Sequence, residues 1–388
     1  MKRILIIGYH FYPAGGPRAQ HTLGIVNGFC KNGWAVDLVL PREERQNDFR
    51  LDQAPDNLTI HLIDVSRFFV QRVLRKLFKA VSGVSGQDFA CKSLKYVTIK
   101  GLSDKADGML TIADPFATHL AGLLIKSKNK RLFWIADYGD PYSFRPRISP
   151  FKTPKIKILL EKHAVKFMHR IIIPIDAAKN AYYKVGATDD QLVVIPQLFE
   201  NKIEDAPYIF EKTRINIVYT GIFYGNERSP IEFLKAYKKL IDEGKPLAFH
   251  FFGEIDSLEF FLNDLDLDKY KYNIYVSERI PRPQALDLIR KADLLLNINN
   301  LHKEQMPSKV IDYINSGIRV LNVGNPLFDE FINVENHREA IYAVLSKVKK
   351  EERLTDYGEL ALEYNYDNNL KKYLAVLDNA IADIWGAV

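Results

Sequence analysis

The sequence predicts an α/β protein of two domains, each built around a parallel β-sheet. Its 388 residues exceed what a single hydrophobic core normally fills. Short apolar runs, such as RILIIG at residues 3–8, alternate along the chain with longer segments of helical periodicity. Strands that alternate with helices form βαβ units, whose sheets are parallel. Ligands of such sheets bind beyond the carboxyl ends of the strands, so functional residues are expected in the loops there.

Composition and cysteine content are those of an ordinary globular protein. Hydrophobic residues make up 47% of the chain and charged residues 26%, with no low-complexity segment. Cys30 and Cys91 have neither metal-binding nor redox spacing, which favours a reducing compartment. The apolar run within MKRILIIGYH is too short for a signal peptide, and no run approaches the ~20 residues of a membrane span. We therefore expect a cytoplasmic protein.

Charge is unevenly distributed along the chain. Residues 1–200 contain 30 Lys and Arg against 18 Asp and Glu, and residues 201–388 contain 24 against 30, so the halves carry formal charges of +12 and −6. A basic first half suggests an anionic partner, such as a membrane surface, a lipid phosphate or nucleic acid. No recognisable nucleic-acid module is present, which argues against the last of these. A solvated surface without a partner is the alternative.

The first βαβ unit is predicted from a strand at 3–8, a helix at 20–32 and a strand at 35–40. The loop after the first strand, GYHFYPAGGPRAQ, lacks the G-x-G-x-x-G pattern and its tight turn, which argues against a dinucleotide site. Gly15 and Gly16 instead allow bare backbone to approach a ligand phosphate. An ordinary flexible turn is the alternative.

A third strand at residues 58–64 precedes a basic amphipathic segment at 66–81. One face of the predicted helix is apolar and the other is basic, a pattern typical of a membrane-surface helix. It is equally typical of a domain helix that packs on the core. The apolar face carries Phe69, Val70, Val73, Leu74 and Leu77, and the basic face carries Arg67, Arg72, Arg75, Lys76 and Lys79.

Two further strands, at 108–112 and within RLFWIAD, end in acidic loops. Both loops lie at carboxyl ends of strands, where the ligand rule places function. They contain the candidate residues Asp114, His119, Asp137 and Asp140. The remaining elements predicted for this domain are a helix near 153–168, a strand at 170–175, a capped helix at 176–186 and a closing strand in QLVVIPQLFE.

The second domain is predicted to open with a strand at 214–221, followed by the loop GIFYGNERSP and a helix. Arg228 lies in that loop just before the helix, where it is well placed to neutralise a diphosphate at the helix N-terminus. A surface arginine is the alternative. Further strands are predicted in LAFHFFG, YNIYVSERIP and ADLLLNI, and residues 365–385 have the periodicity of one amphipathic helix.

Residues 304–317, EQMPSKVIDYINSG, carry most of the predicted chemistry. Pro307 and Gly317 mark the start and end of a helix between two apolar strands. The N-terminus of such a helix suits a phosphate. Glu304 and Asp312 frame this N-terminus. Their carboxylates are suited to accept hydrogen bonds from the hydroxyls of sugars on either side of a diphosphate. The alternative is a surface acid and a helix-face aspartate without a shared function.

The same segment resembles a known family. Its acid-x7-acid spacing and the run P-S-K-V-I-D-Y-I-N-S-G-I-R-V-L are similar to the donor motif of retaining GT-B glycosyltransferases of the group 1, or family 4, type. The resemblance covers nearly the whole chain and is strongest at 1–40, 108–142, 214–230 and 272–323. It implies an α/β GT-B fold, in which two Rossmann-like parallel-sheet domains face a deep cleft.

The resemblance also implies a division of function between the domains. Residues 1–197 would form an acceptor-binding domain, residues 198–212 a linker, and residues 213–365 a domain that binds the nucleotide-sugar. The C-terminal helix, residues 366–388, would cross back onto the first domain.

Site residues carry over from the family by position. Glu304 is expected to contact the transferred sugar, and Asp312, one methylene shorter than the usual Glu, the nucleotide ribose. Arg228 and Lys309 are expected to stabilise the departing diphosphate, so these two cations and Glu304 form the catalytic set. Further donor-binding residues are Gly15, Gly16, Gly221, Arg279, Ile280, Pro307 and Ser308. The acceptor-side residues are Asp114, His119, Asp137 and Asp140.

One position departs from the family pattern. Ala113 stands where family members often have a histidine just before the acid-Pro step. No catalytic histidine is therefore assigned, and His119 is expected to pack or orient rather than to catalyse.

The reaction implied is sugar transfer, with retention at the anomeric carbon, from a UDP- or GDP-sugar to an acceptor hydroxyl. A lipid-linked or polysaccharide acceptor in cell-surface glycan biosynthesis is expected, with peripheral contact to an anionic membrane. The sequence shows no metal-ligand cluster, so we expect no metal and no cofactor. Two alternatives stay open: a non-hydrolysing UDP-sugar 2-epimerase, and a catalytically silent homologue that binds a nucleotide or a partner transferase.

Overall fold

The computed structural model describes residues 1–11, 16–42, 54–65, 86–144, 155–265, 272–300 and 305–385. The chain divides into two compact units. The N-terminal unit comprises residues 1–200 together with 366–388, and the C-terminal unit comprises residues 201–365. The basic segment 66–81, Gly15 and Glu304 lie outside the described residues.

Within its described residues, the N-terminal unit contains a seven-stranded parallel sheet of order β3-β2-β1-β4-β5-β6-β7. The strands are β1 (Arg3–Ile7), β2 (Ala35–Arg42), β3 (Leu58–Asp64), β4 (Gly108–Ile112), β5 (Phe133–Asp137), β6 (Arg170–Ile173) and β7 (Leu192–Val194). The helices are α1 (Pro17–Lys31), α2 (Gln87–Lys100), α3 (Leu102–Lys105), α4 (Ala117–Lys128), α5 (Lys155–Val165) and α6 (Lys179–Tyr183). The central strands are buried on both faces, which explains why they read as continuous apolar runs.

The described part of the C-terminal unit contains a six-stranded parallel sheet of order β10-β9-β8-β11-β12-β13. Its strands are β8 (Ile215–Gly221), β9 (Leu247–Gly253), β10 (Ile274–Glu278), β11 (Leu294–Ile298), β12 (Val320–Val323) and β13 (Ile332–Val334). Its helices are α7 (Ile231–Asp242), α8 (Ile255–Asp264), α9 (Arg282–Lys291), α10 (Lys309–Ser316), α11 (Arg338–Leu345) and α12 (Gly358–Glu363). The strand order reverses between β8 and β11, and ligands of doubly wound sheets bind at such a point.

Most predicted elements are confirmed with shifts of a few residues at their ends. The predicted strands at 58–64 and 108–112 have the observed bounds. The predicted capped helix at 176–186 was wrong in detail, because a 3-10 turn (Asp176–Ala178) leads into the short α6 and no side chain caps either element. Helix α10 starts two residues after Pro307 and ends, as predicted, at Gly317, whose φ of 71° is a left-handed conformation that favours glycine.

The last helix, α13 (Tyr366–Trp385), belongs to the N-terminal unit. The Tyr366 hydroxyl donates a hydrogen bond of 2.8 Å to the carbonyl of Gly24 on α1. A Cβ at Gly28 would come within 2.4 Å of the Leu370 side chain. The close approach of α13 to α1 therefore leaves no room for a side chain at position 28. Among the described residues, none of the helices is both long and apolar enough to cross a membrane.

Replacing Gly24 by alanine is expected to destabilise the N-terminal unit. The added Cβ would lie 2.6 Å from the backbone oxygen of Leu198, so backbone must move. We expect this overpacking to cost about 1–3 kcal/mol, more than the ~1 kcal/mol that alanine gains over glycine in a helix. Thermal unfolding followed by circular dichroism checks the prediction, and an unchanged or higher unfolding temperature would contradict it.

Candidate functional site

The candidate site lies at the carboxyl edge of the C-terminal sheet, where the strand order reverses. The loop after β8 contains Arg228, and the loop after β11 contains Asn300. These two loops meet directly, because Nη2 of Arg228 donates a hydrogen bond of 2.6 Å to Oδ1 of Asn300. The C-terminal unit therefore brings a buried arginine to the part of the sheet where ligands of this fold class bind.

Arg228 ends a 3-10 turn, Gly225–Arg228, and is only 8% exposed. Its guanidinium carbon lies 5.2 Å from the ring centre of Tyr224. Within the described ranges, the Nε of Arg228 has no hydrogen-bond partner and the guanidinium forms no ion pair with a carboxylate. A buried guanidinium that no carboxylate among the described residues neutralises keeps its positive charge for a ligand.

Lys309 is the first residue of α10 and is 9% exposed. Its Nζ has no hydrogen-bond partner in the described part of the chain and lies 3.2 Å from the ring centre of Tyr219 on β8. Burial lowers the pKa of Lys309 well below its usual value, and the nearby charge of Arg228 lowers that pKa further. No acid in the described parts of the chain pairs with it either. Two neighbouring buried cations without an acid form a site that an anion would stabilise.

Asp312 lies one turn after Lys309 and is already paired. Its Oδ1 is 2.5 Å from Nη2 of Arg282, the first residue of α9, and both side chains are largely buried. Burial raises the pKa of Asp312, and Arg282 opposes that rise. Sequence reasoning missed Arg282, whose only signal was its position directly after Pro281 at the start of a helix. The predicted ribose contact would therefore involve a carboxylate that Arg282 orients.

The ends of β8 and β9 approach each other closely beside this site. A Cβ on Gly253 would lie 1.7 Å from the carbonyl oxygen of Gly221, so no side chain fits there. Gly221 itself has a φ of 122°, which favours glycine. The backbone conformation at the carboxyl end of β8 thus favours glycine at position 221, one of the predicted donor-binding residues.

The other predicted donor-binding residues occupy different environments. Pro307 is buried, and Ser308 is the residue before α10, where its side chain makes no capping hydrogen bond. Arg279 is exposed and pairs with Glu254 at 2.7 Å, and Ile280 is half-buried beside it. These two residues follow the end of β10, the outer strand of the described sheet.

In the N-terminal unit, the four predicted acceptor-side residues divide into two pairs. Asp114 is exposed and Asp140 is half-buried, both after carboxyl ends of strands. His119 is completely buried, and its Nδ1 lies 2.7 Å from the hydroxyl of Thr111. Burial lowers the pKa of His119 to about 3, so it is neutral at physiological pH. Asp137 is 1% exposed, so neither His119 nor Asp137 presents its side chain at the surface.

Asp137 is the centre of a buried hydrogen-bond network. His21 is 3.1 Å from its Oδ2, Nη2 of Arg18 is 3.2 Å from its Oδ1, and the Tyr373 hydroxyl donates to it. The Nδ1 of His21 accepts the backbone N–H of Leu198 at 2.8 Å, so its Nε2 carries the proton toward Asp137. Burial alone would raise the pKa of Asp137, but its polar neighbours outweigh burial and hold that pKa below its usual range.

This network joins α1, the end of β5 and α13, which indicates a structural role for Asp137. Sequence reasoning missed Arg18, His21 and Tyr373. The spacing of Arg18 and His21, three residues apart on one helix face, was the only local signal.

Gly16, another predicted donor-binding residue, has a φ of 110° and precedes Pro17, the first residue of α1. This conformation favours glycine and leaves bare backbone at the helix N-terminus. The described residues contain no group of three or more His, Cys, Asp and Glu side chains that could hold a metal ion.

Comparison with known proteins identifies the fold. Neither a family model nor a curated protein matches the sequence. A glycosyltransferase from Rickettsia africae ESF-5 superposes with a TM-score of 0.66 at 12% identity, over 99% of this chain and 98% of that one. Anabaena HepE, in complex with UDP and glucose, gives 0.62 at 12% identity over 100% of both chains. The UDP-GlcNAc 2-epimerase of Methanocaldococcus jannaschii gives 0.59 at 12% identity, over 98% of this chain and 100% of that one. At these identities the likeness establishes the architecture, and this chain has the GT-B fold of two Rossmann-like parallel-sheet units.

Proposed function

We propose that this protein is a glycosyltransferase that moves a sugar, with retention at the anomeric carbon, from a UDP- or GDP-sugar to an acceptor hydroxyl. The observation that carries the proposal is the pair Arg228 and Lys309. Both are more than nine-tenths buried, and neither meets a carboxylate within the described residues. They lie where the strand order of the C-terminal sheet reverses. A diphosphate would supply the missing negative charge.

The two cations would act mainly on the leaving group. When the bond between the sugar and the diphosphate breaks, negative charge grows on the departing phosphate oxygen. Fixed cations that need no reorganisation stabilise this charge in the transition state. Arg228 would bind two phosphate oxygens through its planar fork, and Lys309 would act as a point charge on one. The N-terminus of α10 adds backbone N–H groups and its partial positive charge.

The remaining roles are assigned by position in the sequence motif. Glu304 would bind hydroxyls of the transferred sugar, and Asp312, oriented by Arg282, would bind the ribose. Arg279 and Ile280 would contact the nucleotide base through their backbone. The leaving phosphate itself would accept the proton of the acceptor hydroxyl. In the N-terminal unit, Asp114 and Asp140 are better placed than the buried His119 and Asp137 to contact an acceptor.

The acceptor is proposed to be a glycan or a lipid-linked saccharide. The first half of the chain has a formal charge of +12, with 30 basic and 18 acidic residues. Such a charge favours an acceptor that carries a phosphate or lies at an anionic membrane. Co-sedimentation with phosphatidylglycerol vesicles, compared with phosphatidylcholine vesicles, tests the membrane part of this proposal, and equal binding to both would contradict it.

A thermal-shift screen with UDP, GDP, ADP and their sugar conjugates tests the donor class. A ligand that binds the native state stabilises it by about 2.7 kcal/mol at one hundred times its dissociation constant. We expect the nucleotide of one base to raise the unfolding temperature of the protein. The sugar conjugate of that nucleotide should raise it more. The absence of a shift with all of these ligands would contradict the proposal. Once the donor is known, NMR of the product anomeric proton checks retention.

An epimerase is the second candidate, because a UDP-GlcNAc 2-epimerase has the same fold. Enzymes of that type depend on acids and histidines in both domains. In this chain His21, His119 and His250 are all buried, and each bonds a neighbouring group of the protein. Their burial makes these three histidines poorly placed to act on a substrate. Incubation with UDP-GlcNAc in the absence of acceptor discriminates, since epimerisation without transfer would overturn the transferase proposal.

A further inference from the structure

Three asparagines lie side by side on neighbouring strands of the C-terminal sheet. Asn297 on β11 pairs in register with Asn322 on β12, which pairs with Asn333 on β13. Nδ2 of Asn297 donates to Oδ1 of Asn322 at 2.7 Å, and Nδ2 of Asn322 donates to Oδ1 of Asn333 at 2.8 Å. Asn297 and Asn322 are completely buried. Buried amides in neighbouring strands must satisfy one another, so these bonds fix three side chains in one row.

The row of asparagines also holds the loop that follows β12. Nδ2 of Asn322 donates a second bond to the carbonyl of Asn325 at 2.9 Å. Nδ2 of Asn333 donates to the carbonyl of Phe328 at 2.6 Å. The loop between β12 and β13 is therefore anchored at two points by side chains from within the sheet.

This anchored loop in turn holds the loop that follows β11. The carbonyl of Asn325 accepts a bond of 2.9 Å from Nδ2 of Asn299, and Nδ2 of Asn325 donates to the carbonyl of Asn300 at 3.3 Å. Oδ1 of Asn299 accepts the backbone N–H of Asn300 at 2.9 Å. Hydrogen bonds to its carbonyl oxygen and from its N–H thus hold the backbone of Asn300 in place.

The side chain of Asn300 completes the connection. Its Oδ1 accepts the 2.6 Å bond from Arg228, and its Nδ2 donates to the carbonyl of Gln305 at 3.2 Å. A continuous series of amide hydrogen bonds therefore runs from β13 across the sheet to the guanidinium of Arg228. We name the six residues of this series the amide relay: Asn297, Asn299, Asn300, Asn322, Asn325 and Asn333.

We infer that the amide relay positions Arg228 for the phosphate groups of the donor, with Asn325 and Asn300 as positioning residues. This inference rests on the proposed function, in which Arg228 binds the diphosphate. Neutral amides suit the task. An acid at position 300 would pair with Arg228 and cancel its charge, whereas an amide oxygen orients the guanidinium and leaves its charge available. Binding groups held by such supporting bonds need little rearrangement when the ligand arrives.

Substitution of Asn325 tests the inference, because its side chain bonds the backbone of Asn300, whose side chain in turn bonds Arg228. The probe is UDP or GDP, whichever gives the larger thermal shift, and its affinity is measured by calorimetry. We expect Asn325→Ala to weaken binding by about threefold to tenfold. Asn273→Ala is the matched control. It also removes a side-chain bond to backbone, of 3.2 Å to Leu247, but at the opposite edge of the same sheet. We expect the nucleotide affinity of Asn273→Ala to equal that of the unmodified protein.

A double-mutant cycle with Arg228→Ala separates positioning from general loosening of the fold. If Asn325 acts through the guanidinium, Asn325→Ala should have no further effect once Arg228 is alanine. The inference would be overturned if the losses in nucleotide affinity of the two single variants multiplied in the double variant. It would also be overturned if Asn325→Ala bound the nucleotide with unchanged affinity. If Asn325→Ala does not fold by circular dichroism, Asn300→Ala is used in the same cycle.

The cycle also separates failure of the inference from failure of the proposed function. If Arg228→Ala binds the nucleotide as tightly as the unmodified protein, the diphosphate assignment is wrong and the inference falls with it. If Arg228→Ala weakens binding while Asn325→Ala and Asn300→Ala both resemble the Asn273→Ala control, the diphosphate assignment stands and only the relay is wrong.

Discussion

Arg228→Ala is expected to lower kcat with the matching nucleotide-sugar by about 10²–10³ and to weaken binding of the free nucleotide. Arg228 is 8% exposed and has no acidic partner among the described residues, so its charge would act almost entirely on the bound diphosphate. A charge-assisted contact in a buried site is much stronger than a surface ion pair. Steady-state transfer kinetics and nucleotide calorimetry measure the two effects.

Two variants serve as references for this experiment. Arg338→Ala removes the same charge from an exposed pair with Glu339 in the same unit, and we expect activity within twofold of the unmodified protein, about the effect of a surface ion pair. Arg228→Lys keeps a positive charge but loses the planar fork, so it should recover only part of the activity. Equal activity of Arg228→Ala and Arg338→Ala would contradict the assignment of the diphosphate site.

The affinity for the nucleotide is expected to fall as pH rises through the lowered pKa of Lys309. Burial and the charge of Arg228 depress this pKa in the free protein, so the ammonium loses its proton at a lower pH than an ordinary lysine does. A bound diphosphate favours the charged ammonium and raises the pKa again. Between the two pKa values binding takes up one proton, and the dissociation constant rises by up to about tenfold per pH unit.

Calorimetry from about pH 6 to about pH 10 checks this dependence, in buffers of different ionisation enthalpy that reveal the proton taken up. Lys309→Arg is the control, because arginine stays charged over the whole range and should remove this contribution to the pH dependence. A pH dependence identical in Lys309→Arg and the unmodified protein would show that another group is responsible.

The strands and helices followed closely from local patterns, for reasons that the structure makes clear. The strand at 247–253 was predicted with its observed bounds, because it is buried along its whole length and is therefore apolar at every position except His250. The end of α10 was predicted because Gly317 adopts a conformation that other residues rarely adopt. The start of α10 was predicted two residues too early, at Pro307 in place of Lys309, since Pro307 and Ser308 can precede a helix or begin it.

The two candidate cations were also chosen from the sequence. Arg228 and Lys309 each stand next to a helix start in the chain, and helix N-termini after parallel strands bind anions. Residue types and their order along the chain carry this information. Partners that come from distant parts of the chain do not appear in such patterns, so the pairing of Asp312 with Arg282, 30 positions away, was missed.

By itself, the sequence determined the α/β class, the division into many parallel strands and helices, and the loops that carry the charged residues. These properties depend on hydrophobic periodicity and on the backbone preferences of glycine and proline, which act over a few neighbouring residues. Only the tertiary structure decided that Arg228 and Lys309 are buried without an acidic partner among the described residues, that His119 and Asp137 lie below the surface, and that asparagines on three strands form one series. The physical reason is that burial and charge pairing depend on strand order, which brings together residues that are far apart along the chain.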